Sequence, residues 1–222
     1  MMYPICTEIF PAPPVCRDEI LRYAGARQAT PEVSALLEEA LQEAQSCLSY
    51  KVCWQKLPVQ MCGSELDLTF AKTHSERLRQ HLEYCSHIIL LGATVGIRLD
   101  RLIARYGKTS PAKALLLQAI GAERIEALCN AFSQKIEKIS AEEGLNTTSR
   151  FSPGYGDLPL ELQRDIFRTL NCGKIGLTLN DSLIMSPSKS VTAIIGIGRR
   201  CCAADTGCSG CAKQDCIHRR SL

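Results

Sequence analysis

Apolar residues change their spacing along this chain, and each change marks an element. Pro4, Pro11, Pro13 and Pro14 keep the first twenty residues from forming a regular helix, so an extended arm is predicted over 1–29. Val33, Leu36, Leu37, Ala40, Leu41 and Ala44 then recur at helical spacing. Thr30 caps that helix and Pro31 fits its first position, which predicts a helix over 31–48. Residues 50–59 alternate loosely and are rich in strand formers, and 66–70 read as a second strand after the Gly63–Ser64 turn. Thr73 with Glu76 three residues on matches a capping box, opening a short helix through Leu82.

The run from Ser86 to Leu91 is continuously apolar after its first two residues, the pattern of a strand buried on both faces. Ile97, Leu99, Leu102 and Ile103 place a helix over 95–106. Ser110 and Pro111 open a long helix to about residue 143, with a kink expected near Gly121. Residues 146–159 hold two glycines and two prolines among polar residues and form a loop. A short helix follows over 160–170, then strands over 175–179, 183–185 and 191–197. The fold class predicted is α+β, a central, mainly antiparallel sheet with helices packed around it. Domain organisation follows as one domain over 1–198 and a cysteine-rich tail over 199–222, which lacks apolar periodicity.

Composition narrows the function classes. A chain of 222 residues buries a real core, and 45% hydrophobic with 22% charged residues is ordinary for a globular protein. The net charge is +3, without a long basic run, so no nucleic-acid partner is predicted. No stretch reaches the roughly 20 apolar residues that span a bilayer, and residues 1–10 lack a signal-peptide pattern. No membrane partner is therefore predicted, and the location expected is cytoplasmic.

Thirteen cysteines divide into eight scattered from Cys6 to Cys172 and five within Cys201–Cys216. The scattered ones are expected reduced, acting in part as small hydrophobes. Cys201, Cys202, Cys208, Cys211 and Cys216 form a candidate metal set. Cys208-Ser209-Gly210-Cys211 is a Cys-x-x-Cys with glycine inside, a turn that lets two thiolates grip one ion. A structural zinc, a 4Fe-4S cluster and free or disulfide-forming thiols all satisfy this spacing, and His218 reads as a solvated histidine before a replacement for one cysteine.

Between Arg150 and Pro159, Gly154 and Gly156 flank Tyr155, and Pro153 and Pro159 stiffen the chain. Backbone amides of such a loop can approach a ligand closely, and Arg150 offers a planar fork for a carboxylate. Asp157 and Asp181 read as turn or cap residues before contacts to a ligand's amino group or ribose, and Gly92-x-x-x-Gly96 as a packing turn before a phosphate cradle at a helix N-terminus. His74, His81 and His87 have no ligand spacing.

Arg150-x-x-x-Gly154-Tyr155, a helix, a strand and then Met185-Ser186-Pro187 stand in the order of the activation (reactivation) domain of vitamin B12-dependent methionine synthase. The resemblance spans about residues 85–198, and Gly92-Ala93-Thr94-Val95-Gly96 is similar to a segment of the stand-alone members. It departs after Tyr155, where Gly156-Asp157-Leu158-Pro159 replaces the usual Pro-Ala-Cys-Pro, and after Pro187, where Ser188-Lys189-Ser190 intervenes. The resemblance implies S-adenosylmethionine binding by Arg150, Phe151, Ser152, Pro153, Gly154 and Tyr155, with Met185 and Pro187 in the second element. It implies no catalytic acid or base in this chain, because the cobalt of a partner's cobalamin is the nucleophile. The partner implied is a cobalamin-binding methionine synthase or related corrinoid protein, with this chain supporting reductive methylation of cob(II)alamin in trans. A 4Fe-4S cluster in the tail would then supply an electron, whereas zinc would only staple it. The rival reading is a non-catalytic corrinoid-protein interaction or metal-carrying subunit of the same fold.

Overall fold

A computed structural model describes residues 4–26 and 29–199. The central sheet follows from two strands that are mostly apolar and buried on both faces. β6 (His87–Thr94) pairs along its whole length with β2 (Lys51–Pro58) on one side and β10 (Ser190–Gly198) on the other, both antiparallel. Ile89, Leu91 and Ala93 face one way and Ile88 and Leu90 the other, as the period of two requires. β1 (Cys6–Ile9) adds to β2, and β7 (Asn146–Thr147) to β10, giving the order β1-β2-β6-β10-β7.

Each sheet face carries its own core. The first is covered by α1 (Arg17–Tyr23), α2 (Pro31–Gln45), α4 (Ile97–Thr109) and α5 (Pro111–Glu142), and holds Phe132, Leu117, Leu128 and Ile195. The second is covered by α3 (Glu76–His81), α6 (Leu162–Leu170) and the 3-10 turn Cys172–Ile175, and holds Leu78, Leu82, Phe151, Ile166 and Ile194. A small sheet of β3 (Gln60–Cys62), β4 (Glu65–Asp67) and β5 (Lys72–Thr73), and a hairpin of β8 (Thr178–Leu179) and β9 (Met185–Ser186), complete the described residues. The α+β architecture is as predicted. Among the described residues no helix is long and apolar enough to cross a membrane.

Several local expectations are corrected. The arm is not wholly extended: β1 lies between Pro4 and Pro11, and α1 begins three residues after Pro14. Proline disfavours helix in the residue before it, not after. Asp18 and Glu19 in the first turn and Arg22 in the last suit the helix dipole, and Ile20 is fully buried. Ser75, not Thr73, caps α3, its hydroxyl accepting from the Leu78 amide at 3.1 Å. Ser110 makes no side-chain cap, although Pro111 does open α5. The strand expected over 66–70 stops at Asp67, because Thr69 is left-handed (φ 71°) and donates its amide to Asp67 Oδ1 at 2.7 Å. Most of 175–179 is turn, with Gly176 left-handed. α5 is a single helix through Gly121. A Cβ there would stand 2.8 Å from Leu99 Cδ2 and 2.8 Å from Lys189 Cγ, so close approach, not a kink, requires this glycine.

The eight cysteines within the described residues are free thiols, and Cys53, Cys129 and Cys172 are buried. Cys201, Cys202, Cys208, Cys211 and Cys216 lie outside the described residues. Among the described residues no group of three or more His, Cys, Asp or Glu side chains is arranged to hold a metal.

Candidate functional site

Residues 146–151 run antiparallel to β10 along its outer edge. Pairing holds at Asn146 and Thr147, and the Thr148 amide donates to the Gly196 carbonyl at 3.0 Å. It resumes at Phe151, which exchanges both backbone bonds with Ile194 at 2.9 and 2.8 Å. Three residues on this segment match two on β10, so Ser149 and Arg150 bulge. The extra residue shifts the alternation by one, so Arg150 and Phe151 exchange the faces that unbroken pairing from Thr147 would give them. Phe151 enters the second core, whereas Arg150 reaches α5 on the first.

Arg150 is bound by a polar stripe on α5. Its Nη2 donates to Glu126 Oε2 at 2.9 Å, and its Nη1 to Asn130 Oδ1 at 2.9 Å and Ser133 Oγ at 3.3 Å. Those three residues are spaced four and three apart, so α5 presents them on one face. The Arg150 Nε–H has no acceptor among the described residues. With its side chain 21% exposed, the guanidinium lies at the surface with its geometry already set.

Past Arg150 the loop is held by rings and a cap. The Phe151 ring packs edge-on against Tyr155 with centroids 5.4 Å apart, and against His81 at 5.2 Å. His81 Nε2 lies 2.8 Å from the Ser149 carbonyl and donates to it. Burial lowers the His81 pKa against the opposing effect of that bond, so the ring is neutral at pH 7. Tyr155 itself is 56% exposed. Gly154 (φ 83°) and Gly156 (φ 62°) are both left-handed, and a Cβ on Gly156 would meet Arg77 Cδ at 2.6 Å.

Asp157, two residues after Tyr155, anchors the loop to α3. Its carboxylate accepts from Ser75 Oγ, from the Glu76 amide at 2.8 Å and from the Arg77 amide at 3.3 Å. It thereby caps the first turn of α3 from 81 residues away and latches the loop to it. Asp157 is thus a cap, as predicted. The Ser75 hydroxyl, then the two amides, hold its carboxyl below the ordinary carboxylate range. A depressed folded value means that the latch is intact above the unfolded value and is lost only as pH falls through the folded one. Asp157→Ala is therefore expected to speed hydrogen exchange at the amides of Gly154 and Leu158 at neutral pH. Asp157→Asn is expected to lose the acid-dependent part of loop opening.

Of the other predicted site residues, Pro153 is buried and Ser152 half-buried beside Phe151, and the Ser152 carbonyl accepts from the Tyr155 amide at 3.1 Å. Met185 packs against the second core and Pro187 is buried at the entry to β10. Among the described residues no hydrogen bond or ring contact joins Met185 or Pro187 to Arg150 or Tyr155. Asp181 offers its carbonyl, not its carboxylate, to Arg164 at 2.9 Å.

Beside Arg150 lies a groove of about 450 Å³ between the arm and the outer face of α5. Glu126 and Asn130 belong both to it and to the Arg150 cluster. Pro13, Pro14, Glu19 and Tyr23 form the arm side, and its lining holds three carboxylates with no lysine or arginine. Sequence reasoning missed Glu126, Asn130 and Ser133. The available signal was their polar stripe on a helix otherwise dominated by apolar residues.

No family model matches the chain, and no curated protein matches it. Among solved structures, the MetH reactivation domain bound to AdoHcy superposes with a TM-score of 0.63 over 88% of this chain and 78% of that chain, at 14% identity. The two share one fold. At this identity the shared reactivation-domain fold concerns architecture alone.

Proposed function

We propose that this chain binds S-adenosylmethionine and docks on a cobalamin-dependent methyltransferase to support reductive methylation of its cob(II)alamin. The observation that carries the reading is Arg150, preset by Glu126, Asn130 and Ser133 at the side of an acidic groove with its Nε–H left over. S-adenosylmethionine carries a carboxylate, an ammonium and a sulfonium. Arg150 Nε–H suits the first, and the groove's carboxylates, already paired with Arg22, Arg124 and Arg150, keep lone pairs that can face the two cations. The exposed Tyr155 ring, held at a fixed angle by Phe151, supplies a planar surface for adenine or for the corrin. The reactivation-domain fold supports the same ligand class. The partner's cobalamin would supply the nucleophile, an external reductant one electron, and S-adenosylmethionine the methyl, leaving as S-adenosylhomocysteine. This chain's part is to orient the donor.

One observation favours the interaction-subunit reading instead: both terminal nitrogens of Arg150 are committed to α5 by three bonds, leaving only Nε–H for a carboxylate and no two-pronged fork. Calorimetric titration of the folded protein with S-adenosylmethionine separates the two. Saturable binding is expected, weakened about tenfold or more in Arg150→Ala, the scale of one hydrogen bond to a charged group. Absence of binding in folded protein leaves the interaction subunit.

In this reading Cys208, Cys211, Cys216 and either Cys201 or Cys202 form a four-thiolate site for zinc or a 4Fe-4S cluster. Metal analysis of anaerobically purified protein is expected to return zinc, or iron with visible absorbance. Only the second fits electron delivery.

A further inference from the structure

Helix α4 carries Arg98, Arg101, Arg105 and Lys108 against one acid, Asp100. Its net charge equals the +3 of the whole chain, concentrated in 13 residues. Arg98, Arg101 and Arg105 are spaced three and four apart, so they share one helix face, and all three are exposed. With Cys47 and Leu102 they line one concavity of about 290 Å³, and no residue lines both this concavity and the acidic groove.

The nearby carboxylates are already committed. Glu43 accepts from Lys113 Nζ at 2.5 Å and from the Tyr106 hydroxyl at 2.9 and 2.8 Å, and Glu39 from Lys113 at 2.6 Å. Arg105 reaches Glu43 at 3.3 Å, so Lys113 and Arg105 together offset both glutamates. Asp100 is turned to Ser188, accepting its amide at 2.7 Å and its hydroxyl at 2.8 Å. Arg98, Arg101 and Lys108 are left without an acidic partner among the described residues. Like charges at this spacing repel one another, which disfavours the helix unless an anion lies between them.

From Arg98 to Arg105 the helix rises about 10 Å, longer than one phosphate group and suited to a short chain of them. Guanidinium forks match phosphate oxygens two at a time. The shallow concavity, floored by Leu102 and Cys47 and ringed by the three arginines, gives a compact anion several guanidinium contacts at once. We propose that this face of α4 is a binding site for a small ligand held through two or more phosphate groups, with Arg98 and Arg101 as the principal contacts and Arg105 as the third.

Titration of the full chain with inorganic tripolyphosphate at low salt tests this. One saturable event at a 1:1 ratio is expected, stronger than with orthophosphate and weakening as sodium chloride rises. Arg98→Gln/Arg101→Gln is expected to lower the affinity about tenfold or more, whereas Lys138→Gln, on an exposed part of α5, leaves it unchanged. Circular dichroism melts check that the double variant stays folded, as its exposed positions predict. Absence of saturable binding overturns the proposal. So does equal affinity in the folded double variant, which would put the anion elsewhere, or tighter binding of polyglutamate than of tripolyphosphate, which would make α4 a protein-docking face.

Discussion

Glu123→Ala is expected to destabilise the protein by about 3–5 kcal/mol in urea unfolding, the cost typical of stranding one member of a buried ion pair. Arg124 is 1% exposed, and its guanidinium faces the neighbouring Glu123 carboxylate. The same guanidinium donates to the carbonyls of Pro13 and Pro14, each at 2.7 Å, while Glu123 accepts the Cys16 amide at 3.1 Å. The two residues thus pin the proline-rich arm to α5, satisfying carbonyls and an amide that its prolines keep out of regular structure. Removing the carboxylate leaves a buried cation and frees the arm, the near wall of the acidic groove. Two results check the account. Proteolysis within residues 11–16 is expected to quicken, and Glu123→Ala/Arg124→Met is expected to be less destabilised than Glu123→Ala alone. A double variant as unstable as the single one would assign the loss to packing, not to charge.

Phe132→Ala is expected to cost a similar amount, about 3–5 kcal/mol, for a different reason. Its ring is fully buried in the first core, with Phe10 edge-on at 6.1 Å and Trp54 tilted at 6.0 Å. Those contacts join α5 to the arm just after β1 and to β2. Around them Trp54 Nε1 donates to Glu8 at 2.9 Å, and Lys135 pairs with the same glutamate. The truncation leaves a cavity beneath the sheet's edge, so the amides of β1 are expected to exchange faster than those of β6. Phe132→Leu, which refills most of the space, is expected to recover much of the loss.

How much of this was legible in the sequence depended on how local each cause is. β6, β10 and α5 were readable because unbroken apolar runs and a Pro at the first helical position act within a few residues. α1 was not, because it is seven residues long and its burial comes from α5 more than 90 residues away. The loop from Arg150 to Tyr155 stood out through its glycines and prolines, and its left-handed positions confirm why they are needed. Its anchors did not stand out. Glu126 and Asn130 lie 24 and 20 residues upstream, and Asp157 acts on amides 80 residues before it, so only the folded sheet brings them together.

The bulge at Ser149–Arg150 has a consequence for cooperativity. The sheet divides the interior into two cores, and Arg150 and Phe151, joined by one peptide bond, are fastened to opposite ones. Neither half can loosen without pulling on that bond. The edge segment therefore acts as a rivet through the sheet, and its own resistance to opening adds to that of both halves.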